Sequence, residues 1–283
     1  MLVSPQTLAT HATDPDWIVF DCRHDLMNAG KGESMYREGH VPGAFFANLD
    51  TDLSGEKTGL NGRHPLPSPA AFSAFLARHG VTERSTVVAY DDVGGQFAAR
   101  LWWLCRWVGL RNVSLLDGGV QNWVAAGHTL HTAIPQTRRS PFAGRSDALM
   151  VVGVNELLHR VNQSGLTLID ARAPERYRGE VEPIDPVAGH IPGAVNRFYK
   201  ENLNVDLTMK APDVLRDAFA NIVEAGSEVV HQCGSGVTAC ANIFAMEYAG
   251  LTGSRLYAGS WSEWIADPSR PVVVETASVV SEK

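Results

Sequence analysis

No stretch of this chain approaches the ~20 apolar residues that a membrane span needs. Its opening, "MLVSPQTLATHATDPDW", has neither a basic start nor an apolar core, so no secretory signal is read there. A cationic surplus is also missing. Lys and Arg number 24 against 31 Asp and Glu, a net charge of −7, which argues for solubility and against a nucleic-acid or anionic-membrane partner. Together these absences read as a cytoplasmic protein. Cysteine is scarce: four in 283 residues are too few for a disulfide scaffold. Cys22, Cys105, Cys233 and Cys240 form no CxxC pair and nothing has zinc-ligand spacing, so no metal site is expected. Cys22 ends an apolar run and Cys105 sits inside "LWWLCRWVGL"; both read as packing thiols. No exposed apolar repeat advertises a partner, so a monomer is the default.

What the chain has is a repeat of itself, the feature to seek first. "WIVFDCR", "EGHVPGAFF" and "TVVAYDDVGGQFAARLWWLCRWVGLRNVSLLDGGVQNW" are followed in the same order by "LTLIDAR", "AGHIPGAVN" and "EVVHQCGSGVTACANIFAMEYAGLTGSRLYAGSWSEW". A gap-free match over the last pair sets Trp123 on Trp264, Gly118 on Gly259 and Asp92 on Cys233. The length suits two domains of ordinary size, read as 1–131 and 149–283. Between them, residues 132–148 mix proline, arginine, serine and glycine without apolar periodicity, as a linker does. The tail "VVVETASVVSEK" is read as an appendage of the second unit without a function.

Within each unit, short β-branched runs such as "TVVAY" and "EVVHQ" alternate with helical patterns such as "SPAAFSAFLARHG", with Ser68 as its cap, and "APDVLRDAFANIV". Strands alternating with helices predict an α/β fold, each unit a mainly parallel sheet flanked by helices. In such sheets ligands bind beyond the carboxyl ends of the strands, and Cys233 sits at such an end.

A strand-to-helix turn offers free backbone N–H groups and the positive end of a helix dipole. Both favour a thiolate at Cys233. Gly234 and Gly236 let the backbone curl so that amides converge on one point as an anion nest, with the hydroxyls of Ser235 and Thr238 beside it. The run Cys233-Gly234-Ser235-Gly236-Val237-Thr238 therefore suits a negatively charged sulfur, or one carrying a second sulfur. A cysteine phosphatase would need an arginine six residues after the cysteine to fork a phosphate; Ala239 stands there. Cys240 reads as a core residue, with a redox partner to Cys233 as the alternative.

The duplicated units, "GHVPGA" and "GHIPGA", "LIDAR", "CGSGVTAC" and "GSWSEW" together resemble the two-domain rhodanese-type sulfurtransferases over nearly the whole chain. The uncharged loop after Cys233 is most similar to that of the 3-mercaptopyruvate branch. The resemblance implies two rhodanese-like domains, the first inactive and the second catalytic, with Cys233 carrying a persulfide. It further implies a relay of Cys233, Ser235, His64 and Asp52, with His64 supplied by the first domain. Arg172 would hold the donor's carboxylate and Arg176 a second anion position, Arg178 being the fallback; Ile184, in "VEPIDP", stands where the family often has another arginine. The physical chemistry is compatible. An α-keto acid needs a fixed cation, which arginine's planar fork supplies. Ser235 and loop amides would stabilise charge on the keto oxygen, and His64 would return a proton to the enolate. The alternatives are that Arg172 pairs with an acidic neighbour, and that His40 and His190 serve their turns. The activity implied is sulfur transfer from 3-mercaptopyruvate, releasing pyruvate, to reduced thioredoxin, a small dithiol or cyanide, without a cofactor. Thiosulfate as the donor is the alternative; a non-enzymatic sulfur carrier is a further one.

Overall fold

The β-branched runs and helical patterns fold in strict alternation. The computed structural model describes residues 1–137 and 139–275; the last eight residues of the tail and one residue of the linker fall outside these. The first unit runs β1 (Leu2–Val3), α1 (Pro5–Thr10), β2 (Trp17–Asp21), α2 (Lys31–Glu38), β3 (Phe45–Phe46), α3 (Pro69–Arg78), β4 (Thr86–Tyr90), α4 (Ala98–Trp107), β5 (Val113–Leu116) and α5 (Gly119–Ala125). The second runs α6 (Val154–Arg160), β6 (Leu166–Asp170), α7 (Pro174–Arg178), β7 (Ala194–Asn196), α8 (Pro212–Ala220), β8 (Glu228–Gln232), α9 (Ala239–Tyr248), β9 (Arg255–Leu256) and α10 (Ser260–Trp264). Short 3-10 turns cover Ala148–Met150 and Tyr199–Asn202.

Every strand pairing is parallel, in the orders β1-β5-β4-β2-β3 and β7-β6-β8-β9. Parallel strands buried on both faces read as continuous apolar runs, which is why "TVVAY" and "EVVHQ" coincide with β4 and β8 residue for residue. Local chemistry sets the helix starts. Ser68 accepts from the Ala71 N–H at 3.1 Å, and Pro69 follows at the first helical position, where no N–H is needed.

The two GH boxes build the same turn twice. His40 stacks on Tyr36 and bonds its carbonyl; His190 does the same with Tyr177. Residues 139–147 do not hang free. Ser140 and Asp147 donate their amides to Ala77 and Trp107, and Gly144 donates to the Ser73 hydroxyl.

The two units share a core. Helices α4 and α9 each follow the central strand of their sheet, and they pack on one another. Eight successive residues of α9, Ala239–Met246, are buried, as expected of a helix apolar all round. Trp102 meets Phe244 edge-on at 5.0 Å, and one apolar cluster runs through both helices. Burying rings across the junction contributes more than their area alone. This junction brings loops of the first unit onto the end of β8.

Candidate active site

Cys233 is the residue after β8, and its backbone is fixed from both sides. Its N–H donates to the Ser260 hydroxyl at 3.0 Å, and its carbonyl accepts from the Trp261 N–H at 3.0 Å. Its Sγ, 1% exposed, accepts from the Gly236 N–H at 3.2 Å. Gly236 has φ +76°, and an added Cβ would sit 2.2 Å from the Ala258 carbonyl oxygen, so only glycine turns the chain here. The amides of Gly234, Ser235, Val237 and Thr238 have no acceptor among the described residues. They lie at the N-terminus of the ten-residue helix α9, whose dipole favours negative charge at that end.

The first unit shows what fills such a cradle. The Val120 N–H donates to the Asp91 carbonyl at 3.0 Å, as Trp261 does to Cys233, and strand registers pair Asp21 with Tyr90 as Asp170 pairs with Gln232. Asp91, not Asp92, is therefore the counterpart of Cys233. The first copy has one more residue between strand and helix, which a gap-free match cannot register. The Asp91 carboxylate is fully buried and accepts from the amides of Val93, Gly95, Phe97 and Ala98 at 2.7–3.0 Å. Burial pushes its carboxyl upward, and those amides pull it back. Leu203 of the second unit closes this cradle, with its Cδ1 2.3 Å from where a Gly94 Cβ would lie.

His64 does come across the junction. Its Nδ1 lies 2.8 Å from the Ser235 Oγ. The carboxylate beside its Nε2 is Asp50, at 3.7 Å. Asp52 is directed elsewhere, to Arg78 at 2.5 Å and the Asn48 amide at 2.9 Å. Asp52, the carboxylate expected beside His64, therefore does not face it; Asp50, two residues earlier, does. The tight turn Asn48–Asp52 sends neighbouring carboxylates to opposite sides, which no periodicity reports. Burial, then the Arg100 charge, push the His64 imidazole down to about 3. The ring is neutral near pH 7 and holds no imidazolium proton to deliver.

Arg100 went unnoticed in the sequence. Although fully buried on α4, it pairs with no carboxylate among the described residues. Its guanidinium donates to the carbonyls of Leu53, His64, Pro65 and Gly236 at 3.0–3.3 Å. It thereby ties the His64 loop to the Cys233 loop. The signal was available: a cation directly ahead of the unbroken apolar run Leu101–Cys105 of the same helix.

Arg172 is largely consumed by its neighbours. Its Nε and Nη2 fork onto Asp170, and Nη2 also reaches the Gly189 carbonyl. Arg23 makes the same contacts to Asp21 and Gly39 in the first unit, so this pair belongs to the fold. The Nη1 of Arg172 lies 3.5 Å from Glu182 and makes no hydrogen bond among the described residues, and its guanidinium stacks on Trp261 at 4.8 Å. Trp261 is fully buried behind it. Arg176 pairs with Glu182 at 2.7 Å and Asp185 at 3.2 Å. Arg178 lies outside the site, paired with Glu180 at 2.7 Å. Ile184 and Asp185 donate their amides to Glu182.

These groups surround a cavity of about 240 Å³, lined among others by Cys233, Ser235, Thr238, Arg63, Arg172 and Arg176. A wider open groove of about 760 Å³ follows Arg106, Arg111 and Arg145, but includes nothing from the Cys233 loop. Cys240 is buried, its thiol pushed up to about 12 by burial. It hydrogen-bonds the Gly236 carbonyl at 3.4 Å, a packing and loop-bracing role. Among the described residues no group of His, Cys, Asp and Glu is arranged to hold a metal ion. No helix there is long and apolar enough to cross a membrane.

The family profile described as "Rhodanese-like domain" matches residues 4–126 and 153–267. The chain is 48% identical to the "Probable 3-mercaptopyruvate sulfurtransferase" of Pseudomonas aeruginosa over 275 residues, covering 96% of this chain and 97% of that one. It is 40% identical to the "Putative thiosulfate sulfurtransferase SseB" of Mycobacterium tuberculosis, covering 87% of each. Its fold superposes on the structure of "3-mercaptopyruvate sulfurtransferase from Leishmania major" with a TM-score of 0.81 at 30% identity, covering 93% of this chain and 74% of that one.

Proposed function

Because the chain belongs to the rhodanese-like family, with two such domains in tandem, we propose that it is a sulfurtransferase that takes sulfur from 3-mercaptopyruvate through a persulfide on Cys233. The observation that carries this is the amide cradle around the Cys233 sulfur, with the Ser235–His64 pair beside it. Its counterpart in the first unit already holds an anion, the Asp91 carboxylate.

The Cys233 thiolate attacks the donor's sulfur. A sulfur–sulfur bond forms, the carbon–sulfur bond breaks, and its electron pair passes to the departing pyruvate enolate. The donor's thiol proton must leave the outer sulfur and reach the enolate carbon. Ser235 and a neutral His64 can pass that proton without an imidazolium at rest, with Nε2–H biased toward Asp50. The loop amides then hold the outer sulfur as an anion. An acceptor thiolate, from reduced thioredoxin or a small dithiol, or cyanide, attacks it and releases the Cys233 thiolate. Arg172 and Arg176 line the cavity where the donor's carboxylate would sit. The reading places this work in the cytoplasm, by a monomer.

Intact mass after adding 3-mercaptopyruvate tests the scheme. One added sulfur is expected, absent in a Cys233→Ser variant. A carrier would load but not turn over. Catalytic efficiencies with 3-mercaptopyruvate and thiosulfate test the donor, and a higher value with thiosulfate overturns that part.

A further inference from the structure

Three guanidiniums line the cavity, and the one from the first unit has the most to give. Of Arg172, Nε and Nη2 are taken and Nη1 lies 3.5 Å from Glu182, and the contact to the strand-end aspartate is duplicated by Arg23 in the first unit, where Asp91 stands in place of Cys233. Arg176 commits Nε and Nη2 to Glu182 and Asp185. Arg63 commits only Nη1, to Asp185; its Nε and Nη2 have no acceptor among the described residues. Its backbone is anchored where the Arg63 N–H donates to the Ser262 hydroxyl at 3.0 Å. The side chain reaches the residue next to the nucleophile: a Cβ on Gly234 would lie 2.8 Å from Arg63 Nη2, and 3.6 Å from Arg176 Nη2. Burial lowers the Arg63 guanidinium's affinity for its proton, and the Cys233 sulfur is the foremost charge opposing that.

The charges close by are balanced. Asp170, Glu182 and Asp185, all nearly buried, match Arg63, Arg172 and Arg176. Lys200 is a further cation, on the exposed rim. Asp185 touches both Arg63 and Arg176, so it draws on the two guanidiniums that an incoming anion would need.

We infer that Arg63, carried across from the first domain, is a donor-binding residue that clamps the anionic end of the sulfur donor with Arg176, and that Asp185 limits the strength of this clamp. The inference rests on the persulfide reading but not on which donor is preferred, since 3-mercaptopyruvate and thiosulfate are both anions. A forked guanidinium–anion contact is strong and geometrically selective. Asp185 competes with it and weighs most against a dianion, which needs the greater positive field.

Steady-state kinetics on the full chain, with cyanide as acceptor, test this. Arg63→Ala raises the KM for both donors on the order of 10- to 100-fold, with a much smaller change in kcat. Arg63→Lys does not restore it, because a point charge lacks the fork. Asp185→Asn acts in the opposite direction: the donor KM falls, and falls further for thiosulfate than for 3-mercaptopyruvate. Were Arg63 only a tie between the domains, breaking the pair from either side would impair the enzyme alike. A raised KM in Asp185→Asn, or an unchanged KM in Arg63→Ala, overturns the inference. The wild-type donor ratio judges the donor assignment separately.

Discussion

Lowering the pH from 7 to 5 should destabilise this protein through two buried histidines, His64 and His231. Burial pushes both imidazoles down to about 3 from an ordinary 6.5. His231 is fully buried, with Nδ1 unpartnered and Nε2 3.2 Å from the Met246 sulfur; nothing near it rewards a positive charge. The folded state keeps both rings neutral at pH 7 and at pH 5, while the unfolded chain protonates them between those values. The unfolded state therefore binds more protons. The stability is present above pH 6.5 and is lost as the pH falls toward 3. Over the step from 7 to 5 each histidine costs about 2 kcal/mol, the pair about 4, a large part of the ~5–15 kcal/mol typical of a folded domain. Carboxylates titrate in the same window, so the clean quantity is a difference. Urea unfolding of the wild type and of His231→Phe at both pH values should give a pH-dependent loss shallower by about 2 kcal/mol in the variant. Parallel losses would refute the reasoning, because His231 would then be charged or exposed in the folded state. The same shift at His64 implies that kcat/KM has no limb near pH 6.5 from this ring.

The remaining expectations concern the loops that meet at Cys233. Arg100→Met leaves the carbonyls of Leu53 and His64 without a donor among the described residues, while those of Pro65 and Gly236 keep only the Gly55 N–H and the Cys240 thiol; unfolding should become easier by on the order of 3–5 kcal/mol, with slower persulfide loading by mass spectrometry. Asp50→Asn should lower kcat/KM roughly three- to thirtyfold through His64. Asp52→Asn should keep kcat/KM and lose at most about 1–2 kcal/mol of stability, its Arg78 partner being half exposed; reversed effects would exchange the two carboxylates' roles. Gly236→Ala must relieve both a positive φ and a clash with the Ala258 carbonyl. Loading of Cys233 should fall by on the order of a hundredfold, and normal loading would mean that the cradle is not needed.

The repeat carried most of the fold. Its strands are buried on both faces and its helices apolar on the faces they share, so pattern alone located β4, β8, α3 and α8. The turn at Cys233 was equally legible, because cysteine, two glycines and a following helix occupy consecutive positions. Groups placed by the tertiary junction were harder to read. Asp50 and Asp52 sit two apart in one turn, and only the path of the chain decides which faces His64. The Asp91–Cys233 correspondence was masked by the strong apolar match of α4 with α9, which absorbs a one-residue difference in the preceding loop. Arg63 adjoins His64 in sequence, yet its partner Asp185 lies 122 residues away. Arg172 showed in outline as both candidate and ion pair, and the pairing with Asp170 is what the geometry displays.

The retention of a first unit without a nucleophile follows from what crosses the junction. Helices α4 and α9 are each too apolar to face water, so each covers the other while its own sheet lies behind it. With the helices fixed, the loops at the strand ends exchange contents. Leu203 and Met209 of the second unit enter the cradle region of Asp91, while His64, Arg63 and Arg100 of the first reach the loop of Cys233. The exchange is asymmetric in chemistry. An aspartate satisfies its own amides and needs no ligand, so that cradle can be plugged by a leucine. The Cys233 loop keeps amides unsatisfied and receives polar groups, which leaves room and charge for an anionic sulfur. A single unit could form the cradle but not its surroundings: the hydroxyl–imidazole pair and the third guanidinium exist only where the two units meet.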